Sequence, residues 1–193
     1  MDIDILLQHA LGLGVSDAVV LPAEVISIED HLADYCREPR CPGYGQAANC
    51  PPHVAKPAVF RQQLKQYEHV LVFKFDVPTE VLLSDDRLEI AQLVHETAAS
   101  IEKLALETGY RKAEGLAAGS CKQIFCSEYA DCLVLSAGGD CRFPDQARPS
   151  MSGLGINVFE LARAAGWPMN KITSESSPDE VPMGLMAGMV LLA

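Results

Sequence analysis

Apolar residues recur at helical spacing from the start of the chain. Ile3, Leu6, Leu7, Ala10 and Leu11 share one face before Gly12 and Gly14 interrupt it. Residues 18–21 and 24–28 are rich in Val and Ile and predict two short strands broken at Pro22. Residues 29–35 predict a helical turn, and prolines and glycines then exclude regular structure from Pro39 to Pro52. A helix resumes over 57–67, with Pro57 suited to its first turn. The apolar run Val70, Leu71, Val72, Phe73 and Phe75 predicts a central strand over 69–77.

Ser84 predicts the cap of a long helix, with Asp85 and Asp86 in its first turn, where the helix dipole favours negative charge. Ile90, Val94, Ala98, Ile101 and Ala105 line one face of that helix and Gly109 ends it. A strand is expected next, over 110–118. Residues 148–151 begin a short helical segment in which Ser150 and Met151 start the helix. An amphipathic helix over 155–165 carries Ile156, Phe159, Leu161 and Ala162 and stops at Gly166. Residues 171–180 are polar, and 181–192 predict a C-terminal strand or half of a hairpin. The fold expected is α/β (α+β), a small mixed sheet covered by helices on at least one face, in a single domain over 1–193.

Two stretches fit neither period, and they hold every cysteine. Cys36, Cys41 and Cys50 fall in the first; Cys121, Cys126, Cys132 and Cys141 fall in the second. Nearly half the residues are apolar, enough to bury a core without cysteine staples. The acidic start Met1-Asp2-Ile3-Asp4 lacks the basic residues of a signal peptide, and the apolar C-terminal run is too short and glycine-rich to span a bilayer. A cytoplasmic location is expected, where thiols stay reduced. Seven thiols in two loops then favour metal over disulfides.

Charge sharpens this picture. The net charge of −11 argues against nucleic acid and against an anionic membrane as partners. Residues 36–56 and 121–148 nevertheless carry Arg37, Arg40, Lys56, Lys122, Arg142 and Arg148 against Glu38, Glu128, Asp131, Asp140 and Asp145. Basic residues beside cysteines lower thiol pKa and balance a thiolate-bound anionic cluster.

Structural zinc sites usually pair cysteines two to four residues apart, and no C-x2-C occurs in this chain. One Zn²⁺ held by Cys121, Cys126, Cys132 and Cys141 remains open, in a zinc-stabilised interaction module. An iron–sulfur cluster suits the wider spacing better, because its irons present at several corners. Cys41-Pro42 and Cys50-Pro51 add the cysteine–proline pairs that recur around such clusters. Four thiolates complete one [4Fe–4S] centre and three leave an iron short of a ligand, unless the two loops exchange ligands. His53, three residues after Cys50, is a candidate for the missing ligand. Otherwise that iron is open to substrate, as in an iron–sulfur enzyme.

The first run (Cys36, then Cys41-Pro42-Gly43-Tyr44-Gly45, then Cys50-Pro51-Pro52) and the second (Ala118-Gly119-Ser120-Cys121 through Cys141-Arg142-Phe143-Pro144 to Arg148-Pro149-Ser150-Met151 and Gly155-Ile156) resemble an uncharacterised family of predicted metal-binding proteins. That family is associated with anaerobic bacteria and methanogens and is suspected of holding iron–sulfur clusters. The resemblance implies Cys36, Cys41, Cys50, Cys121, Cys126, Cys132 and Cys141 as ligands of one or two [4Fe–4S] clusters. It brings no reaction with it.

Tyr44, Gly43 and Gly45 suit a tight turn around a metal. Arg142 and Arg148 are candidates for hydrogen bonds to cluster sulfides or for ordinary ion pairs. No phosphate loop or G-x-S-x-G occurs, His95-Glu96 lacks the second histidine of H-E-x-x-H, and Gly12-Leu13-Gly14 lacks the rest of a dinucleotide fingerprint. Aromatic residues are 6 %, too few for a nucleic-acid stacking platform. The leading reading is a [4Fe–4S] protein that exchanges electrons with a redox partner, its acidic exterior docking on a basic face.

Overall fold

A computed structural model describes residues 3–39 and 41–193; Met1, Asp2 and Arg40 lie outside the described residues. In chain order the elements are α1 (Ile3–Gly12), β1 (Asp17–Pro22), α2 (Asp30–Asp34), α3 (Pro57–Leu64), β2 (His69–Pro78), α4 (Thr79–Leu83) and α5 (Arg87–Glu107). They continue as β3 (Ala113–Leu116), α6 (Cys121–Ile124), α7 (Leu133–Ala137), α8 (Val158–Ala164) and β4 (Met183–Leu192). The strands form one sheet in the order β1-β2-β4-β3, and each neighbouring pair is antiparallel. The small helix-covered sheet expected from the hydrophobic pattern is therefore present, and it is of the α+β kind.

Helices cover both faces, and this explains why β2 is a nearly unbroken apolar run. Val70 and Val72, with Ala187, Met189 and Leu191 of β4, pack against Phe60 of α3, Leu161 of α8 and Trp167. Leu71, Phe73 and Phe75, with Val190 and Leu192, pack the opposite face against Leu6 of α1 and Val94, Ala98 and Ile101 of α5. Strand periodicity of two sends alternate side chains to opposite layers, so both sets must be apolar. Gly188, opposite Phe73 in the register, leaves the space that this ring fills. A Cβ there would overlap Phe73 Cζ and lie 2.8 Å from Val94 Cγ1. The long helix thus approaches β4 over a glycine. No cysteine belongs to either apolar layer.

Several boundaries differ from expectation, each because a partner is present or lacking. Residues 24–28 are not a strand: a 3₁₀ turn covers Ala23–Val25, and only Ile28 pairs, with Ile156. The register ends at Pro22 opposite His69, where β2 begins, so nothing runs alongside the next residues. The long helix starts at Arg87, with Asp85 and Asp86 ahead of it, and Ser84 closes α4 while its hydroxyl accepts the Asp86 N–H at 3.1 Å. Gly109 lies just beyond α5 at φ +102°. Residues 148–150 are not helical, because Ser150 pairs in parallel with Ala117 beyond the end of β3, whereas Met151, at φ −53° and ψ −44°, leads into a 3₁₀ turn, Ser152–Leu154. The helix expected over 155–165 starts at Val158, capped by Asn157 Oδ1, and Phe159 on it is exposed.

Candidate metal centre

The two cysteine loops meet beside the sheet through main-chain contacts. Ala117 donates its N–H to the Pro149 carbonyl at 2.8 Å and accepts from Met151 at 2.9 Å. The Ser150 N–H reaches the Asn49 carbonyl of the first loop at 3.4 Å. One residue past β3, the second loop is thereby laid along the first.

Gly43 allows the closest approach. A Cβ on it would lie 2.6 Å from Ser120 Cβ and 3.6 Å from Cys50 Sγ. The Cys50 thiol in turn donates to Ser120 Oγ at 3.3 Å, a buried contact joining the loops across 70 positions of sequence. Tyr44 and Gly45 lie in the same turn, as expected, with Gly45 at φ +74°.

The seven thiols divide four and three. Cys121, Cys126, Cys132 and Cys141 line one pocket, walled by Phe125, Leu133, Phe143 and Ala147, with Ala47 of the first loop reaching in. Cys36, Cys41 and Cys50 line a second pocket with Tyr44, Gln123, Ser120, Ser150 and Ser152. The pockets adjoin, since the successive residues Ser120 and Cys121 belong one to each. Their characters differ. The four-thiol cavity is about 20 Å³, room for an ion or a water. The three-thiol cavity is about 160 Å³ and is edged by hydroxyls and an amide. Among the described residues no three His, Cys, Asp or Glu side chains stand close enough to share a single metal ion.

Thiol acidities report the same crowding. Burial, then the neighbouring thiols Cys50, Cys141, Cys132 and Cys126, pushes the Cys121 pKa up to about 12. Burial also raises Cys50, while its hydrogen bond to Ser120 works the other way. Burial raises Cys36, with Cys41 and Cys50 adding to it. At Cys126 burial and Cys141 raise the value, opposed by Arg142 and Lys122. Thiols packed this closely cannot all ionise without a cation among them, and a bound metal supplies that positive charge. The donors are of the kind that hold a metal as thiolates, but in neither pocket do three of them stand close enough to share one ion. The three-thiol pocket has space for a group larger than a single ion; a cluster at the four-thiol pocket requires the loop to spread.

Basic residues of the second loop are turned inward onto main chain. Lys122 Nζ donates to the carbonyls of Cys126 at 2.6 Å and Tyr129 at 2.5 Å. Arg142 donates to the Asp131 carbonyl at 2.9 Å and lies over the Tyr129 ring at 4.4 Å. Of the two arginines singled out from sequence, Arg142 lines the four-thiol pocket. Arg148 does not: its Nε pairs with Glu102 of α5 at 2.9 Å, and its Nη1 donates to the carbonyls of Pro144 and Ala147. Arg148 therefore ties the end of the loop to α5. His53 is exposed and is not among the residues lining either pocket.

His95 on α5 carried no signal in the sequence beyond an incomplete zinc motif. Its ring is fully buried, edge-on to Phe125 at 5.5 Å, and Phe125 stacks on Phe143 at 5.5 Å. Nδ1 accepts the Arg148 N–H at 3.0 Å, which places the proton of the neutral ring on Nε2. Nε2 has no hydrogen-bond partner. Burial dominates and lowers the pKa to about 4, while the Ala118 main chain, without normal hydrogen-bond geometry, works the other way. Ser150, expected only to begin a helix, instead lines the three-thiol pocket. Ser120, Gln123 and Ser152 also emerge only from the fold, because serine and glutamine beside a cysteine have no distinguishing pattern.

An α+β layer that carries two adjoining groups of thiols in its loops agrees with a metal-binding protein. The chain belongs to the family described as predicted metal-binding protein (DUF2284), whose model matches residues 19–192. Neither the curated proteins nor the solved structures searched contain a match. No helix among the described residues is long and apolar enough to cross a membrane.

Proposed function

We propose that the chain binds [4Fe–4S] clusters at the two thiol pockets and exchanges electrons with a protein partner through the four-thiol site. The gathering of seven thiols into adjoining groups of four and three carries this reading. Four thiolates satisfy every corner of one cubane, and apolar walls from Phe125, Leu133 and Phe143 suit a redox centre screened from water. The segment over this site is exposed and bears Glu128, Asp131 and Asp140 outward while Lys122 and Arg142 turn in. An acidic cover of this kind favours a partner with a basic face. Three thiolates leave the second centre with one iron free of cysteine. A cytoplasmic setting would keep all seven thiols reduced and ready for metal.

Iron and acid-labile sulfide analysis of protein made and kept without oxygen tests the proposal. Equal iron and sulfide, with broad absorbance at about 400 nm that bleaches on reduction, is the expected outcome. Cys132→Ala is expected to lose one cluster and keep the fold. Colourless protein carrying zinc and no sulfide would falsify the reading and leave a zinc-stabilised interaction module in its place.

A further inference from the structure

Among the described residues, His95 Nε2 is the one buried side-chain nitrogen or oxygen with no hydrogen-bond partner. Buried polar groups are ordinarily satisfied, so an unmade bond here points to a partner that a small movement would supply. The place is the root of the second cysteine loop. At the exit, His95 Nδ1 holds the Arg148 N–H at 3.0 Å. At the entrance, a Cβ on Gly119 would lie 3.7 Å from Ala91 Cβ, and Ala91 is one helical turn before His95 on the same face of α5. The neighbouring Ala118 main chain acts on the His95 ring without normal hydrogen-bond geometry. Both ends of the loop thus lie against one imidazole.

Between those ends the loop is braced only to itself. Lys122 holds the carbonyls of Cys126 and Tyr129, and Arg142 holds that of Asp131. Among the described residues, no hydrogen bond joins residues 126–142 to a group outside the loop. A movement that gathers the four thiols can therefore turn on the root without breaking a bond to the sheet. It would also reach His95 directly, because Phe125 stands edge-on to this ring and stacks on Phe143, and both phenyl rings wall the four-thiol pocket.

We propose that His95 is a positioning residue for the four-thiol site, a latch on which the second loop turns: Nδ1 holds the exit at Arg148, and Nε2 closes onto the Ala118 carbonyl at the entrance when the loop gathers its thiols around metal. The proposal rests on the reading of Cys121, Cys126, Cys132 and Cys141 as metal ligands. A neutral imidazole suits the task, since it carries an acceptor and a donor on one rigid ring.

The test uses the full-length chain with Cys41→Ala, so that iron and sulfide report the four-thiol site, both loaded without oxygen and after a chelator has removed the metal. His95→Gln places an amide where Nε2 stands, and His95→Asn places one where Nδ1 stands. The first is expected to hold iron against a chelator nearly as the parent does. The second keeps the contact to Arg148 but falls short of Ala118, and should hold iron about tenfold less tightly for the loss of one hydrogen bond. Urea midpoints of the metal-free forms separate this from a general loss of stability. Equal iron retention in the two variants, or a deficit in His95→Asn no larger than its deficit without metal, overturns the latch alone. If either variant fails to fold, the parent decides: amide exchange at residues 118–121 and 147–149 must slow when metal binds, and unchanged exchange there overturns the latch. A parent with no iron at these four thiols overturns the metal reading and this proposal together.

Discussion

Gly43 is the residue on which the meeting of the two loops depends. A methyl group there would fall 2.6 Å from Ser120 Cβ and 2.7 Å from Ser120 Oγ, the atom that accepts from the Cys50 thiol, so the loops must shift at that point. Gly43→Ala should cost about 1–3 kcal/mol by overpacking and lower metal content at the three-thiol site. Urea unfolding and metal analysis of the same sample would check it; a variant with wild-type metal and midpoint would mean that the contact is dispensable. His95 governs a different property. An unfolded chain protonates this ring near its ordinary pKa of 6.5, whereas the folded ring resists down to about 4. Its contribution is therefore complete above the unfolded value. It falls as pH drops through the window between the two, because the unfolded state takes up the proton first. The loss reaches about 3 kcal/mol. Metal-free protein should lose that much more stability than His95→Gln between neutral pH and pH near 4, and parallel curves would remove His95 as the cause. Beyond an incomplete zinc motif nothing in the sequence marked this ring, since burial and an orphaned Nε2 are properties of its neighbours.

Among the elements, α5 is both a wall of the core and an anchor for the second loop. Glu102 accepts from Arg148 Nε and from the Gly115 N–H, so one carboxylate holds α5, β3 and the end of the loop together. The two side chains of the ion pair are 13 % and 20 % exposed, so losing one charge strands the other in a poorly solvated place. Glu102→Gln should cost about 2–4 kcal/mol and speed hydrogen exchange over residues 144–150. The Arg142–Asp131 pair at 3.6 Å is open to solvent, and Asp131→Asn should leave the urea midpoint where it is. The apolar face of α5 was legible from Val94, Ala98, Ile101 and Ala105, all of which are buried. Its first residue was not. Ser84 has the chemistry of a cap and uses it, but α4 ends there and two aspartates intervene before the long helix begins. The strand expected over 24–28 failed for the same kind of reason: Val and Ile favour a strand only where a neighbour exists to pair with.

At the scale of the whole molecule, core and cysteine loops are separable. Both faces of the sheet are filled by aliphatic and aromatic residues, and the cysteines lie in the loops. Removing metal with a chelator should leave the far-ultraviolet circular dichroism of the sheet nearly unchanged. Exchange protection should be lost over residues 36–56 and 119–150, and the melting temperature should fall by several degrees, at roughly 2–4 °C per kcal/mol for a chain of this size. Global unfolding on chelation would show instead that the loops hold the sheet together.

The periodicity of apolar residues was sufficient for the sheet, the long helix and the order of elements, because burial on a strand or helix face leaves a repeat in the chain. The cysteines were equally plain, since seven reduced thiols in two irregular stretches have few other uses. Which thiols share a pocket, that the two pockets adjoin through Ser120 and Cys121, and that one is tight and apolar while the other is roomy and lined with hydroxyls came only from the tertiary structure. Those properties depend on contacts such as Gly43 with Ser120 and Asn49 with Ser150, between residues roughly 80–100 positions apart, and a contact at that distance leaves no period in a sequence.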